Sequence, residues 1–341
     1  MRYPKFISPG DAVGFAAPAF ACATEPYFTA FNNSLTKWKE KGFRIKLGTN
    51  CYAEKGIGIS NTPEKCAEEL MEMMQDPKAD CVISCGGGEL MCEIVPYLDF
   101  DLLAKVPPKW FMGYSDNTNM TFLLTTLADT AAIYGPCAAA FGMEPWHPAV
   151  TDACDLLQGK KLTLHNYDKW EKESLKDEGH PLEPYHVTEA FRLHSKNAGA
   201  GTIFSGRLLG GCLDCLSNLA GTRFDKVKEF AAKYKEDGIL WFLESCELNT
   251  MSIRRTLWNL REAGWFEGAS GFLVGRPMIF DEPVMGLDQY EAVTGILGEM
   301  GVPILMDLDI GHTAPMMPLI SGACGTVYAG ENEVRIEMER R

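Results

Sequence analysis

Ser115, Glu244 and His312 are the residues of this 341-residue chain whose types and settings suit acyl-transfer chemistry, and each follows an apolar run. Ser115 ends Trp110-Phe-Met-Gly-Tyr, with a glycine two positions before it, as in the G-x-S-x-G turn that exposes a nucleophilic serine. A sharp strand-to-helix turn of that kind lifts the hydroxyl clear of a sheet and aims the next N–H groups at a developing oxyanion. Asn117 stands where the last glycine of the pattern belongs, so the match is partial, and a serine in this place is equally a helix N-cap. Glu244 follows Ile239-Leu-Trp-Phe-Leu243, where a carboxylate either orients an imidazole or caps the next helix. His312 comes after Gly311 at the end of Leu305-Met-Asp-Leu-Asp-Ile310, whereas the other five histidines fall in or near polar loops. The three therefore occur in the order Ser, Glu, His.

Two further motifs compete for a chemical role. Ser84-Cys-Gly86-Gly87-Gly88-Glu89 brings consecutive glycines to a strand end, where backbone amides can approach a ligand closely. Its spacing matches neither a dinucleotide fingerprint nor a Walker loop, which leaves an oxyanion-binding loop or a tight turn. Cys212-Leu-Asp-Cys215 is a CxxC, but it sits behind two glycines within leucine-rich helical spacing and has no second pair to complete a zinc site. Both cysteines are expected as buried helix residues. No metal and no organic cofactor is expected.

The elements that must position these groups alternate strand and helix. Ala12–Pro18, Gly42–Leu47, Cys81–Ser84, Trp110–Met112 and Ala131–Tyr134 read as strands, separated by helical spacing over Glu25–Lys41, Asn61–Met74, Glu89–Tyr97 and Thr118–Leu127. That alternation predicts an α/β fold with a mostly parallel sheet, at whose strand ends ligands collect. The stretch from 159 to 201 is dense in charged residues, His and Pro, and reads as an excursion. Regular structure returns with Gly206–Gly211, a helix, Gly238–Leu243, a helix over Met251–Ala263, and Gly271–Val274. The expected domains are 1–155 with the serine, a linker or substrate-side loop over 156–200, and 201–341 with the acid and the histidine.

Composition limits the function classes. A net charge of −14 argues against nucleic-acid or anionic-membrane binding, both of which need a basic face. No window has the roughly 18 apolar residues of a membrane span, and the first residues lack the apolar core of a secretory leader. The twelve cysteines lie mostly in apolar runs, as small hydrophobes in a reducing cytoplasm do.

Taken in order, Pro9-Gly-Asp-Ala-Val-Gly-Phe-Ala-Ala-Pro18, the glycine loop with Pro96-Tyr-Leu-Asp99, Gly113-Tyr-Ser-Asp116, Gly206-x-Leu-x-Gly-Gly211, Leu243-Glu244 and Gly311-His312 resemble the LD-carboxypeptidase family of serine peptidases, which includes the microcin C self-immunity peptidases. The resemblance spans nearly the whole chain. It implies a flavodoxin-like or Rossmann-like N-terminal parallel sheet with a smaller C-terminal α/β domain. It also implies Ser115 as nucleophile, His312 as general base and then acid, and Glu244 as the residue that orients it, with Glu247 the alternative acid. Amides of Asp116 and of the Gly86-Gly87 loop would form the oxyanion hole, and Glu89 and Trp170 are the candidate substrate contacts, Trp170 either stacking on a nucleobase or packing its loop against its own domain. The substrate implied is a small peptide, either a muropeptide with terminal D-Ala or a peptidyl-nucleotide, and the assembly a homodimer. The chain departs from the family's murein enzymes in carrying Cys85 before the glycines and Cys212 where asparagine is usual.

Overall fold

The computed structural model describes residues 1–341, which form two compact units. One comprises Met1–Lys161 and Glu173–His186, the other Leu162–Lys172 and Val187–Arg341. No helix is long and apolar enough to cross a membrane.

The N-terminal unit contains, in order, β1 (Ala12–Ala16), α1 (Tyr27–Glu40), β2 (Arg44–Leu47), α2 (Pro63–Gln75), β3 (Cys81–Ser84), α3 (Phe100–Leu103), β4 (Trp110–Gly113), α4 (Thr118–Ala128), β5 (Ala132–Tyr134) and α5 (Pro148–Leu157). Its five strands are parallel in the order β2-β1-β3-β4-β5, the flavodoxin-like arrangement. β1, β3, β4 and β5 are buried along their whole length, which is why they read as continuous apolar runs rather than alternating ones. α1 buries Ala30, Phe31, Ser34, Leu35 and Trp38, one stripe at helical spacing. Within this unit Glu69 of α2 is a buried carboxylate that accepts from the backbone N–H groups of Ala17 (2.9 Å) and Asn50 (2.6 Å), tying together the loops after β1 and β2.

One expected helix is absent. Between the glycine loop and Tyr97 the chain makes two 3₁₀ turns, Met91–Glu93 and Val95–Tyr97. Pro96 lacks the N–H that a continuing helix would need there, and a short 3₁₀ turn tolerates that loss.

The C-terminal unit contains β6 (Thr163–His165), β7 (Lys169–Trp170), β8 (Glu189–Ala190), β9 (His194–Lys196), β10 (Thr202–Cys212), α6 (Leu213–Leu219), α7 (Val227–Lys233), β11 (Ile239–Glu244), α8 (Thr250–Glu262), β12 (Ala269–Gly275), α9 (Gln289–Leu297), β13 (Ile304–Leu308), β14 (Leu319–Ser321), β15 (Cys324–Ala329) and β16 (Val334–Glu339). Its eight-stranded sheet has the order β6-β16-β15-β10-β11-β12-β13-β9. β10 to β13 are parallel, and the strands outside them run antiparallel. Trp241, Trp265, Phe266 and Phe272 interlock on one side of this sheet, with successive ring centroids 5.2–6.0 Å apart. The charged stretch between α5 and β10 supplies structure to both units. Residues 173–186 belong to the N-terminal unit, where Leu182 accepts from Glu144 N–H at 2.8 Å, while β6, β7, β8 and β9 belong to the C-terminal one.

Candidate active site

In the N-terminal unit, β4 ends at Gly113 and a single 3₁₀ turn, Ser115–Asn117, leads into α4. Ser115 sits at the start of that turn with a φ of +63°, a left-handed conformation that a residue with a side chain adopts only at a cost. The N-cap position of the turn is Tyr114 and that of α4 is Asn117, and neither side chain makes a capping hydrogen bond. The Ser115 N–H donates to the hydroxyl of the buried Tyr134, at the end of β5 (3.3 Å).

The residues after the serine lock the glycine loop against it. Asn117 Nδ2 donates to the carbonyls of Gly86 (2.7 Å) and Tyr114 (3.1 Å), so the asparagine that spoils the elbow pattern clamps the serine turn to the glycine loop. The Asp116 carboxylate accepts from the N–H of Met91 (2.8 Å) and from Asn119 Nδ2 (3.0 Å), fixing the far end of the same loop. Gly87 passes so close to the serine that a Cβ there would stand 3.2 Å from Ser115 Oγ. The Gly87 carbonyl accepts from Phe20 N–H (2.6 Å), and the Gly87 N–H donates to no group of the protein. Phe20, which the sequence did not single out, follows β1 and is 42% exposed beside this loop. Glu89 is exposed, with its backbone N–H bonded to the Gly58 carbonyl at 2.9 Å.

In the C-terminal unit, β11 ends at Glu244, and His312 Nδ1 lies 2.8 Å from Glu244 Oε2. Glu244 is 1% exposed and the His312 side chain 11%. Gly311 makes the approach possible: its φ is +97°, and a Cβ on it would stand 2.4 Å from Glu244 Oε2. Burial pulls the His312 pKa down, but the Glu244 charge and hydrogen bonding with Cys246 and Glu244 outweigh it, leaving it well above the usual imidazole value. Glu247, the alternative acid, is exposed and its backbone N–H bonds Asp214 at 2.9 Å, so of the two only Glu244 pairs with the histidine.

Just before the histidine loop, Asp309 forms a fully buried ion pair with Arg276 and accepts from Tyr167 N–H at 2.7 Å. Trp170 packs on this pair. It is 7% exposed, with the Arg276 guanidinium 5.1 Å from its ring centroid and Phe280 5.1 Å away edge-on. The ring thus packs within its own unit, the alternative that the sequence left open beside stacking on a nucleobase. Cys212 closes β10 rather than lying in a helix, Cys215 lies in α6, and both are buried. Cys212, Glu244 and His312 each bring one metal-ligating atom within 4.8 Å of the others.

The comparisons with known proteins cover both units. Residues 13–135 match the family model of the LD-carboxypeptidase N-terminal domain, and residues 205–327 that of the LD-carboxypeptidase C-terminal domain. A protein of Vibrio cholerae, named provisionally as a carboxypeptidase, is 28% identical over 99% of this chain and 98% of its own length. The microcin C7 self-immunity protein MccF of Escherichia coli is 26% identical over 94% of this chain and 92% of its own. Among solved structures, MccF in complex with glutamyl sulfamoyl guanosine superposes with a TM-score of 0.81 at 24% identity, covering 99% of this chain and 98% of that one. An MccF-like protein from Bacillus anthracis gives 0.81 at 21% identity, over 99% and 100%. With both of its domain models matched in order, the chain belongs to the LD-carboxypeptidase family of peptidases.

Proposed function

We propose that the chain is a serine peptidase that hydrolyses an amide through Ser115, His312 and Glu244, most concretely an LD-carboxypeptidase releasing terminal D-Ala from muropeptides. The observation that carries this reading is the strained Ser115 turn, clamped by Asn117 to a glycine loop whose Gly87 N–H has no partner within the protein. Backbone strain at a serine between strand and helix has no packing role here, and it is the conformation that presents a hydroxyl for attack.

In this mechanism His312 takes the proton of Ser115 as the oxygen attacks the carbonyl carbon. The N–H groups of Gly87 and Asp116 hold the oxyanion. His312 then gives the proton to the leaving amine, and a water molecule, deprotonated by the same imidazole, releases the acid and restores Ser115. Glu244 keeps the Nδ1 proton directed at itself and stabilises the imidazolium at each stage. Phe20 is the apolar contact for the substrate chain.

A second substrate class is favoured by the near full-length match to MccF, whose structures hold aminoacyl sulfamoyl nucleosides. For this chain that reading means cleavage of the amide that joins an amino acid or peptide to a nucleotide analogue. The twelve free thiols fit a reducing cytoplasm, and a homodimer is the expected assembly. The test is to incubate the protein with a muropeptide tetrapeptide and with an aminoacyl sulfamoyl adenosine, following D-Ala and nucleoside release. Release of D-Ala supports the first class and of the nucleoside the second. Ser115→Ala should abolish either while leaving thermal stability near that of the parent. Normal turnover by that variant would sink the assignment.

A further inference from the structure

The group beside Glu244 in the sheet is a thiol. β10 and β11 run parallel with Cys212 opposite Glu244, so the two strands end level, and the loop carrying His312 meets them there. One donor atom from each of Cys212, Glu244 and His312 lies within 4.8 Å of the other two. The cysteine and the glutamate are each 1% exposed. Amide hydrolysis by a serine uses the imidazole and the carboxylate and has no part for the sulfur.

A thiolate, an imidazole and a carboxylate in one buried cluster form the donor set of a borderline-soft divalent cation. With bonds of about 2.3 Å to sulfur and about 2.0–2.2 Å to nitrogen and oxygen, a tetrahedral zinc ion holds its donors roughly 3.3–3.6 Å apart. The donor atoms of the cluster, all within 4.8 Å of one another, lie close to that spacing. Three protein donors leave a fourth position for water, as in open zinc sites.

We propose that Cys212, Glu244 and His312 bind Zn²⁺ or a similar thiophilic divalent cation. The Cys212 S–H proton and, where His312 is protonated, the extra imidazolium proton leave to solvent as the Zn–S and Zn–N bonds form, and Glu244 gives the metal an oxygen. The site stands independently of the peptidase reading. Its consequence for catalysis rests on that reading: a metal-bound His312 has no lone pair for the Ser115 proton, so the ion inhibits.

Two neighbouring thiols define the rival arrangements. Cys215 neighbours Cys212, whose thiol donates to Asp214 Oδ2 at 3.3 Å, and Cys246 neighbours His312. Titrating the metal-free protein with Co²⁺ alone should give one equivalent bound, a near-ultraviolet thiolate-to-cobalt band and strong visible bands of a tetrahedral ion. Zn²⁺ affinity, read by competition with a chromophoric chelator, should fall about tenfold or more in Cys212→Ala and in His312→Ala. It should stay within about twofold in Cys215→Ala and Cys246→Ala. Circular dichroism checks the fold of each variant, and His312→Asn replaces His312→Ala if the latter does not fold. Absence of stoichiometric binding, an unchanged affinity in Cys212→Ala, or equal losses in Cys212→Ala and Cys215→Ala would overturn the proposal. None of these readouts depends on activity, so a failed peptidase assay leaves the metal site standing, and the reverse also holds.

Discussion

The groups that bond directly to the Ser115 turn are neutral, whereas His312 is held by a buried charge. Around the serine, an asparagine amide, backbone carbonyls and the hydroxyl of Tyr134 at the end of β5 fix a left-handed turn. Around the histidine, a 1%-exposed carboxylate sets its orientation and raises its affinity for a proton, and a second buried ion pair, Arg276 with Asp309, braces the segment that leads to it. Under the proposed function, the difference matches what each group must do. A nucleophile needs access and direction, which geometry supplies. A base needs a tuned proton affinity, which only a field supplies.

Substitutions can break this contrast at either end. The largest effect belongs to Glu244→Gln: with an amide in place of the carboxylate, kcat should fall by about 10⁴, or about 5.5 kcal/mol. The same variant should move the acid limb of kcat/KM to lower pH, because the charge that raises the His312 pKa is gone. In the parent that limb should lie above about pH 6.5, the ordinary imidazole value, since the neutral ring is the base. Stability runs the opposite way. A His raised in the folded state contributes stability that is complete below the unfolded value and is lost as pH rises through the folded one. A parent and a Gln variant with the same pH dependence of melting would show that the field at His312 is not set by Glu244.

Next in size is Arg276→Met, which leaves Asp309 buried without its partner. About 3–5 kcal/mol of unfolding free energy should be lost, measured by urea denaturation. Asn117→Ala should cost less, about 1–2 kcal/mol, from two hydrogen bonds, with kcat reduced and KM nearly unchanged as the glycine loop loosens. The smallest effect is of opposite sign. Ser115→Gly relieves the positive φ and should raise the melting midpoint by the equivalent of about 1 kcal/mol while removing activity. A Gly variant no more stable than Ser115→Ala would argue that the turn carries little strain.

The strands and helices that carry the site were legible because each is buried in a way that leaves a period in the sequence. β1, β3, β4 and β5 are buried on both faces and read as apolar runs, and α1 shows its buried stripe. Ser115, Glu244 and His312 were legible as polar residues that interrupt such runs. Contacts between distant parts of the chain left no local trace. Asn117 looked like a flaw in a motif until its amide met Gly86, 31 positions away. Cys212 read as a helix residue because a strand partner at Glu244 is invisible to local spacing. Trp170 stood in a charged segment with no period to mark it as core, and it packs against Arg276 and Phe280, more than a hundred positions away. The expected helix before Tyr97 failed where Pro96 removes a donor.

The order of strands in the C-terminal sheet has a consequence for how its edges are covered while it folds. Both outermost strands, β6 and β9, are three residues long and come from sequence that precedes every central strand, so the guards of the sheet are made before what they guard. β9 is His194-Ser-Lys196, wholly exposed, and it covers β13, whose five residues are all buried. A short, exposed polar strand ending in a lysine, as β9 is, makes a poor template for a foreign strand, whereas β13 or β16 laid bare would be a good one. A fragment beginning at residue 201 would therefore keep the motif residues of the C-terminal unit and lose its protection against edge-to-edge aggregation.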